Sequence, residues 1–314
     1  MKATGSEPQS FVQRLGSGET LLLDAALGTE LDRRGLTTSL PLWSALGPLE
    51  RPDLVRAIHV DNLDAGADAI TTATFRTTAR TLAKAGLDRA DAPRLDEQAV
   101  ALAQEARRQA NRPDALIAGS IAPLEDCYSP SLTPPPDHAL DEHRAQARTL
   151  AEAGVDLLVV ETMPTIGEAV VALRAARETG LAATVGVVVA PPGDDEVPRL
   201  LSGETLADAV AAFEPLGPAA ILVNCAAPDV ITAALRELRR LTDLPIGGYA
   251  NLGEVDEERG WEPDAEFGGG RYAESAAAWL ALGAQIVGGC CGTTPEHTAA
   301  LRRLLDARRR TVGG

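Results

Sequence analysis

Aromatic side chains are scarce in this chain: Phe, Trp and Tyr make up 3% of 314 residues, so a core must be assembled from Ala, Val, Leu and Ile. Cysteine is scarcer still, at 4 residues, which excludes the disulfide framework of a small secreted domain. No apolar run approaches the ~18 residues of a membrane-spanning helix. Positive charge is in the minority, with 29 Lys and Arg against 45 Asp and Glu, a net charge of −16. That balance argues against a fold-wide grip on nucleic-acid phosphates and against docking on an anionic membrane. Met1–Ser10 lacks the basic-then-apolar pattern of a secretory leader. What remains is a soluble protein expected in the cytoplasm, a monomer or small homo-oligomer acting on small molecules.

Short apolar runs alternate with longer amphipathic stretches along the whole chain. The expected strands are Leu21–Asp24, Ala69–Thr72, Leu116–Gly119, Leu157–Val160, Thr184–Val189, Ala220–Asn224, Ile246–Tyr249 and Gln285–Gly288. Their continuous apolar character suits strands covered by helices on the outer face. Segments such as Asp96–Asn111, Glu142–Ala153, Ile166–Glu178 and Asp229–Leu241 carry apolar residues at three- and four-residue spacing and read as those helices. Three boundaries repeat one device, a helix ending in Gly66, Gly154 or Gly283 directly before a strand. Eight strands, each paired with a helix, predict an α/β fold, a (β/α)8 TIM barrel, with an open doubly wound sheet as the alternative. One domain is expected over residues 1–314, with flexible ends at 1–15 and 307–314.

In such a barrel, chemistry sits at the C-terminal ends of the strands. Asp24, Glu161, Cys225 and the pair Cys290-Cys291 all fall there. Three cysteines suit a soft tetrahedral Zn2+ site that keeps one position open. Adjacent cysteines point to opposite faces of a strand, so both can bind one metal only where the strand ends or bulges, as Gly288-Gly289 and Gly292 allow. The competing readings are buried cysteines acting as small hydrophobes, and a redox pair, for which vicinal cysteines are poorly disposed.

These motifs resemble the homocysteine S-methyltransferase family of zinc-dependent barrels. The resemblance runs from about Leu21 to Leu305. It rests on Asp24-Ala25-Ala26-Leu27-Gly28-Thr29-Glu30-Leu31, Leu42-Trp43-Ser44-Ala45, Thr72-Ala73-Thr74-Phe75, Gly119-Ser120, Glu161-Thr162, Val223-Asn224-Cys225 and Gly288-Gly289-Cys290-Cys291-Gly292-Thr293-Thr294-Pro295. Two departures stand out: Ala25 where the family usually has Gly, and Ala122 in a segment that often reads Gly-Ser-x-Gly-Pro. A compact member of the family, without a folate, cobalamin or S-adenosylmethionine domain, is expected.

The resemblance implies Cys225, Cys290 and Cys291 as zinc ligands, the same three that position selects. It implies Glu161 as the salt-bridge partner of the α-ammonium group of homocysteine, with Asp24 as a second acidic contact. Zinc would hold the substrate sulfur as a thiolate, the nucleophilic form of a group with a pKa of about 8.5. Backbone N–H groups near Ala25 and Ser120 are expected to hold the substrate carboxylate. Trp43 and Tyr249 are expected to line the pocket of the methyl donor, and Asn251 to position Tyr249 or the donor. The donor is expected to be a sulfonium, S-methylmethionine or S-adenosylmethionine, and the product methionine. Alternatives are a betaine donor, a selenocysteine-like or other thiol acceptor, and, from other classes, a non-catalytic zinc-binding barrel or a zinc lyase or hydrolase. Sites of the last kind usually recruit histidine or carboxylate ligands and a water, and no suitable histidine follows a strand. Cys127 reads as an incidental thiol in a loop over the mouth, His297 as an exposed residue of the last helix, and Asp194-Asp195-Glu196 as a solvated loop.

Overall fold

Alternation along each strand divides the apolar residues between two environments. Leu21, Leu23, Ala69, Leu116, Ala118, Leu157, Val159, Leu222, Tyr249 and Ile286 pack together inside a ring of strands. Leu22, Ile70, Ile117, Leu158, Val160, Val185, Val223, Ile246 and Val287 pack outward against the helices. The computed structural model describes residues 9–193, 195–256, 260–262 and 267–312. Asp194 therefore lies outside the described residues; Asp195 and Glu196 are exposed, as a solvated loop requires.

The elements run α1 (Phe11–Gly16), β1 (Leu21–Leu22), α2 (Gly28–Arg33), α3 (Leu46–Glu50), α4 (Pro52–Asp64), β2 (Ala69–Thr71), α5 (Ala79–Lys84), α6 (Ala92–Gln109) and β3 (Leu116–Ile121). They continue with α7 (Pro136–Ala153), β4 (Leu157–Met163), α8 (Ile166–Glu178), β5 (Ala183–Val188), α9 (Leu206–Phe213), β6 (Ile221–Asn224), α10 (Pro228–Leu241) and β7 (Ile246–Ala250). A short antiparallel pair, β8 (Glu254–Asp256) and β9 (Gly260–Glu262), precedes α11 (Gly269–Ala281), β10 (Ala284–Gly289) and α12 (Pro295–Val312). The eight strands of the main sheet pair in parallel in the order β1-β10-β7-β6-β5-β4-β3-β2. A bridge from Leu23 to Ala69 joins the two ends. This is the closed (β/α)8 barrel that the sequence predicts, and every expected strand is present.

Short αβ connections set the register of the ring. Gly154 ends α7 with φ +90°, a left-handed conformation that glycine adopts without strain. Gly66 and Gly283 repeat it before β2 and β10. Tyr272 of α11 ties the last strands together: its hydroxyl donates to Gly288 O at 2.7 Å and accepts from Ala250 N at 2.9 Å.

Helices reach into both segments expected as flexible ends. Ser10 and Gln13 form a capping box that starts α1, and Phe11 and Leu15 close the base of the barrel interior. α12 continues to Val312. Residues 11–15 and 307–312 are helical, whereas Met1–Pro8 and Gly313-Gly314 lie outside the described residues. Among the described residues no helix is long and apolar enough to cross a membrane.

Candidate active site at the barrel mouth

The strand phase that fills the barrel interior also decides which polar residues face its open end. Thr71, Ser120, Glu161 and Asn224 each lie two residues beyond an inward-facing apolar residue: Ala69, Ala118, Val159 and Leu222. They form a polar top layer over an apolar interior.

The three cysteines enter from two strand ends separated by β7. After β6 the backbone turns sharply, with φ +54° at Cys225, whose N–H donates to Tyr249 O at 3.3 Å. After β10, Cys290 N–H donates to Ala250 O at 3.0 Å, and Cys291 O accepts from Leu252 N at 2.8 Å. Thr293 then folds the chain back, its hydroxyl donating to Cys290 O at 2.6 Å and accepting from Ala26 N at 3.2 Å. Cys225 Sγ and Cys290 Sγ meet at 2.7 Å. Hydrogen bonding with the Cys225 and Cys291 thiols, and then burial, push the Cys290 thiol well above its ordinary range. The two vicinal cysteines thus turn to one cluster because β10 ends at Gly289.

Among the described residues, no three ligating side chains stand in ready-made metal geometry. Two sulfurs on one tetrahedral zinc lie about 3.8 Å apart for a zinc–sulfur bond of about 2.3 Å, so a metal would spread the Cys225–Cys290 contact. The donor types fit a soft divalent metal: the Cys225 and Cys290 sulfurs are in contact, and the Cys291 thiol interacts with Cys290.

Two buried carboxylates stand beside the sulfurs. Glu161 Oε1 accepts from Ser120 Oγ at 2.6 Å and Oε2 from Tyr249 Oη at 3.0 Å. Asp24 accepts from Thr71 N at 2.9 Å and Thr71 Oγ1 at 2.7 Å. Burial raises both carboxyls, Asp24 to about 7 with the charge of Glu161 adding to the effect. Among the described residues neither forms an ion pair with Lys, Arg or His. Two carboxylates near one another without a cation make a pocket short of positive charge.

Several expected contacts fall elsewhere. Ala25 N–H donates to Asn62 Oδ1 at 3.1 Å and Ser120 N–H to Thr72 Oγ1 at 3.1 Å. Both of these donors are engaged within the protein, and the Ser120 side chain orients Glu161. Tyr249 is buried in the barrel interior with its hydroxyl on Glu161. Trp43 is half-buried after β1, its indole so close over Gly28 that a Cβ there would stand near Nε1. Asn251 Nδ2 donates to Tyr128 Oη at 3.1 Å, not to Tyr249.

The loop between β3 and α7 covers the cysteines. Leu124 N–H donates to Glu168 Oε1 at 2.8 Å and Arg76 Nη1 to Glu125 O at 3.0 Å, fixing its first turn. Cys127, within this loop, is buried, and Tyr128 Oη reaches to 3.5 Å from Cys225 O. Burial, then the charge of Cys225, drives the Cys127 thiol upward. His297 is a correction: it is only 8% exposed, because its ring packs edge-on against Tyr272 and its Nε2 contacts Phe267 O at 3.0 Å.

Thr71, Tyr128, Thr162 and Asn224 belong to this site and were not singled out from the sequence. Thr162 and Asn224 sit inside the Glu161-Thr162 and Val223-Asn224-Cys225 motifs, and Tyr128 follows Cys127, so adjacency to suspected residues was the available signal.

Comparison with known proteins agrees with this architecture. The family model described as homocysteine S-methyltransferase matches residues 21–305. The homocysteine S-methyltransferase of Escherichia coli (strain K12) is 35% identical over 306 residues, covering 92% of this chain and 96% of that protein. A Bacillus subtilis (strain 168) homocysteine S-methyltransferase is 33% identical, covering 88% of this chain and 91% of the relative. The crystal structure of the homocysteine methyltransferase MmuM from Escherichia coli in its metallated form superposes with a TM-score of 0.78 at 33% identity, covering 92% of this chain and 97% of that one. The barrel, its cysteine-lined mouth and these matches together establish that the chain belongs to the homocysteine S-methyltransferase family.

Proposed function

We propose that the protein is a zinc-dependent S-methyltransferase that moves a methyl group from a sulfonium donor to homocysteine, giving methionine. The observation that carries this reading is the pairing of two deficits at one mouth. Glu161 and Asp24 are buried without a cationic partner among the described residues, and the neighbouring sulfurs form a soft donor set suited to a metal. Homocysteine answers both, with an ammonium group at one end and a thiol at the other.

In this reading Cys225, Cys290 and Cys291 would hold the zinc, which would supply the Lewis acidity that lowers the pKa of the substrate thiol. The metallated form of the relative MmuM supports a metal in the family. Glu161, oriented by Ser120 and Tyr249, binds the ammonium group, and Asp24, oriented by Thr71, adds a second charge. Holding the ammonium fixes the direction of the carbon chain and so the line of approach of the sulfur. The thiol proton passes to solvent. The sulfur then attacks the donor methyl carbon as its bond to the sulfonium breaks, leaving two neutral thioethers and a site that no longer favours either. Trp43 supplies an aromatic face for the sulfonium charge. Tyr128 and Cys127, on the loop above, keep water from the reacting sulfur.

The test is an assay with zinc-loaded protein, homocysteine and a panel of methyl-labelled donors. Label is expected in methionine from S-methylmethionine or S-adenosylmethionine, with little from a betaine. Absence of transfer from every sulfonium by fully metallated protein would overturn the reading.

A further inference from the structure

Two side chains without a role in that reading bracket the Cys225 sulfur. β4 and β6 are not neighbours in the sheet, since β5 lies between them. Their C-terminal ends are nevertheless joined directly. Thr162 N–H donates to Asn224 Oδ1 at 3.1 Å, and Asn224 Nδ2 donates to Thr162 Oγ1 at 2.7 Å. β5 permits the link because it carries Gly186, where a Cβ would stand 3.1 Å from Asn224 Oδ1. Both side chains then reach the cysteine: Asn224 Nδ2 lies 3.4 Å and Thr162 Oγ1 3.3 Å from Cys225 Sγ. Asn224 and Thr162 are both 0% exposed.

The hydrogen-bond logic fixes the direction of every contact. A backbone N–H can only donate, so the Asn224 oxygen must face Thr162 N and its NH2 must face the hydroxyl and the sulfur. With its oxygen accepting from Asn224, the Thr162 hydroxyl has its hydrogen free for Cys225. The backbone carries a matching signature. Thr162 has φ +60° and Cys225 φ +54°. A β-branched residue rarely takes that conformation, and it persists only where the surroundings over-determine it.

We propose that Thr162 and Asn224 are positioning residues for the metal: by donating two hydrogen bonds to the Cys225 sulfur, they fix that ligand before the ion arrives. The inference rests on the metal reading above. Outer partners that orient a ligand typically change metal affinity by about ten- to a hundredfold when removed.

Zinc affinity, measured by competition with a chromophoric chelator, and the sulfur-to-metal absorption band of the cobalt-loaded protein give the test. Thr162→Val keeps the shape but removes the hydroxyl. It is expected to weaken zinc binding about ten- to a hundredfold and to move the cobalt band to longer wavelength. Thr162→Ser, which keeps the hydroxyl, is expected to restore both. Asn224→Asp keeps the acceptor for Thr162 N–H but loses the donor to Thr162 Oγ1 and presents an oxygen to the sulfur; it tests the same bracket with the backbone half of the strand link kept, and weaker binding is again expected. Wild-type affinity and an unmoved band in both Thr162→Val and Asn224→Asp would overturn the proposal and leave the pair as a tie between strands. Failure of the wild-type protein to bind zinc would instead overturn the metal reading, and this inference with it.

Discussion

Tyr249 donates its hydroxyl hydrogen to Glu161 at 3.0 Å across the barrel interior, although 88 residues separate them in the chain. With Ser120 on the other oxygen, the carboxylate is oriented by two neutral donors and by no cation among the described residues. Neutral donors fix a carboxylate in place but leave its charge uncompensated, which is the state a cationic substrate group requires.

Glu161→Gln is expected to keep the metal but to lower kcat/KM for homocysteine about ten- to a hundredfold. A charge-assisted contact of this kind contributes about 1.5–3 kcal/mol, and Gln keeps the shape without the charge. A simple thiol lacking an amino group should lose far less. Equal losses with both acceptors, at full zinc content, would show that Glu161 supports the mouth and does not bind the ammonium.

Asp24 sets a pH dependence. Its carboxyl titrates at about 7 in the folded protein, against about 3.9 for an unfolded aspartate. The folded-state value is raised, so its contribution favours folding at low pH and is lost as pH rises from about 4 to about 7 in the ligand-free protein. The ammonium needs the ionised form. KM for homocysteine is therefore expected to rise as pH falls below about 7, more steeply than for a thiol without an amino group. Matching profiles for the two acceptors, or an unchanged profile in Asp24→Asn, would contradict this role.

The barrel was legible because its strands are uninterrupted apolar runs and its αβ turns repeat one glycine device. The strand ends were less so. β4 runs on past Val160 to Met163, whereas polarity suggested a stop at Val160; Glu161 keeps the strand phase of the apolar residues below it, and the register shifts between Val160 and Met163, where Thr162 is left-handed. The cysteine cluster and both carboxylates could be located from the residues at the C-terminal end of each strand. The partners of the carboxylates could not, because Thr71 and Tyr249 reach Asp24 and Glu161 only through strand pairing and barrel closure. The Ser10–Gln13 capping box was readable by its spacing, while the left-handed backbone at Thr162 has no signal in a β-branched residue.

Cys127→Ser is expected to retain zinc and a sizeable share of activity. The thiol is buried beside the cluster, but a fourth protein sulfur on the metal would close the position that the substrate needs. Loss of zinc from Cys127→Ser, measured by elemental analysis beside the expected loss in Cys290→Ala, would make Cys127 a ligand.

The most direct test of the proposed site is the sulfur count at the metal, read by zinc X-ray absorption with and without homocysteine. Three sulfurs in the substrate-free enzyme, rising to four when homocysteine is added, is the result predicted by a site of Cys225, Cys290 and Cys291 with one open position. Four sulfurs before addition, or a count that homocysteine leaves unchanged, would contradict it.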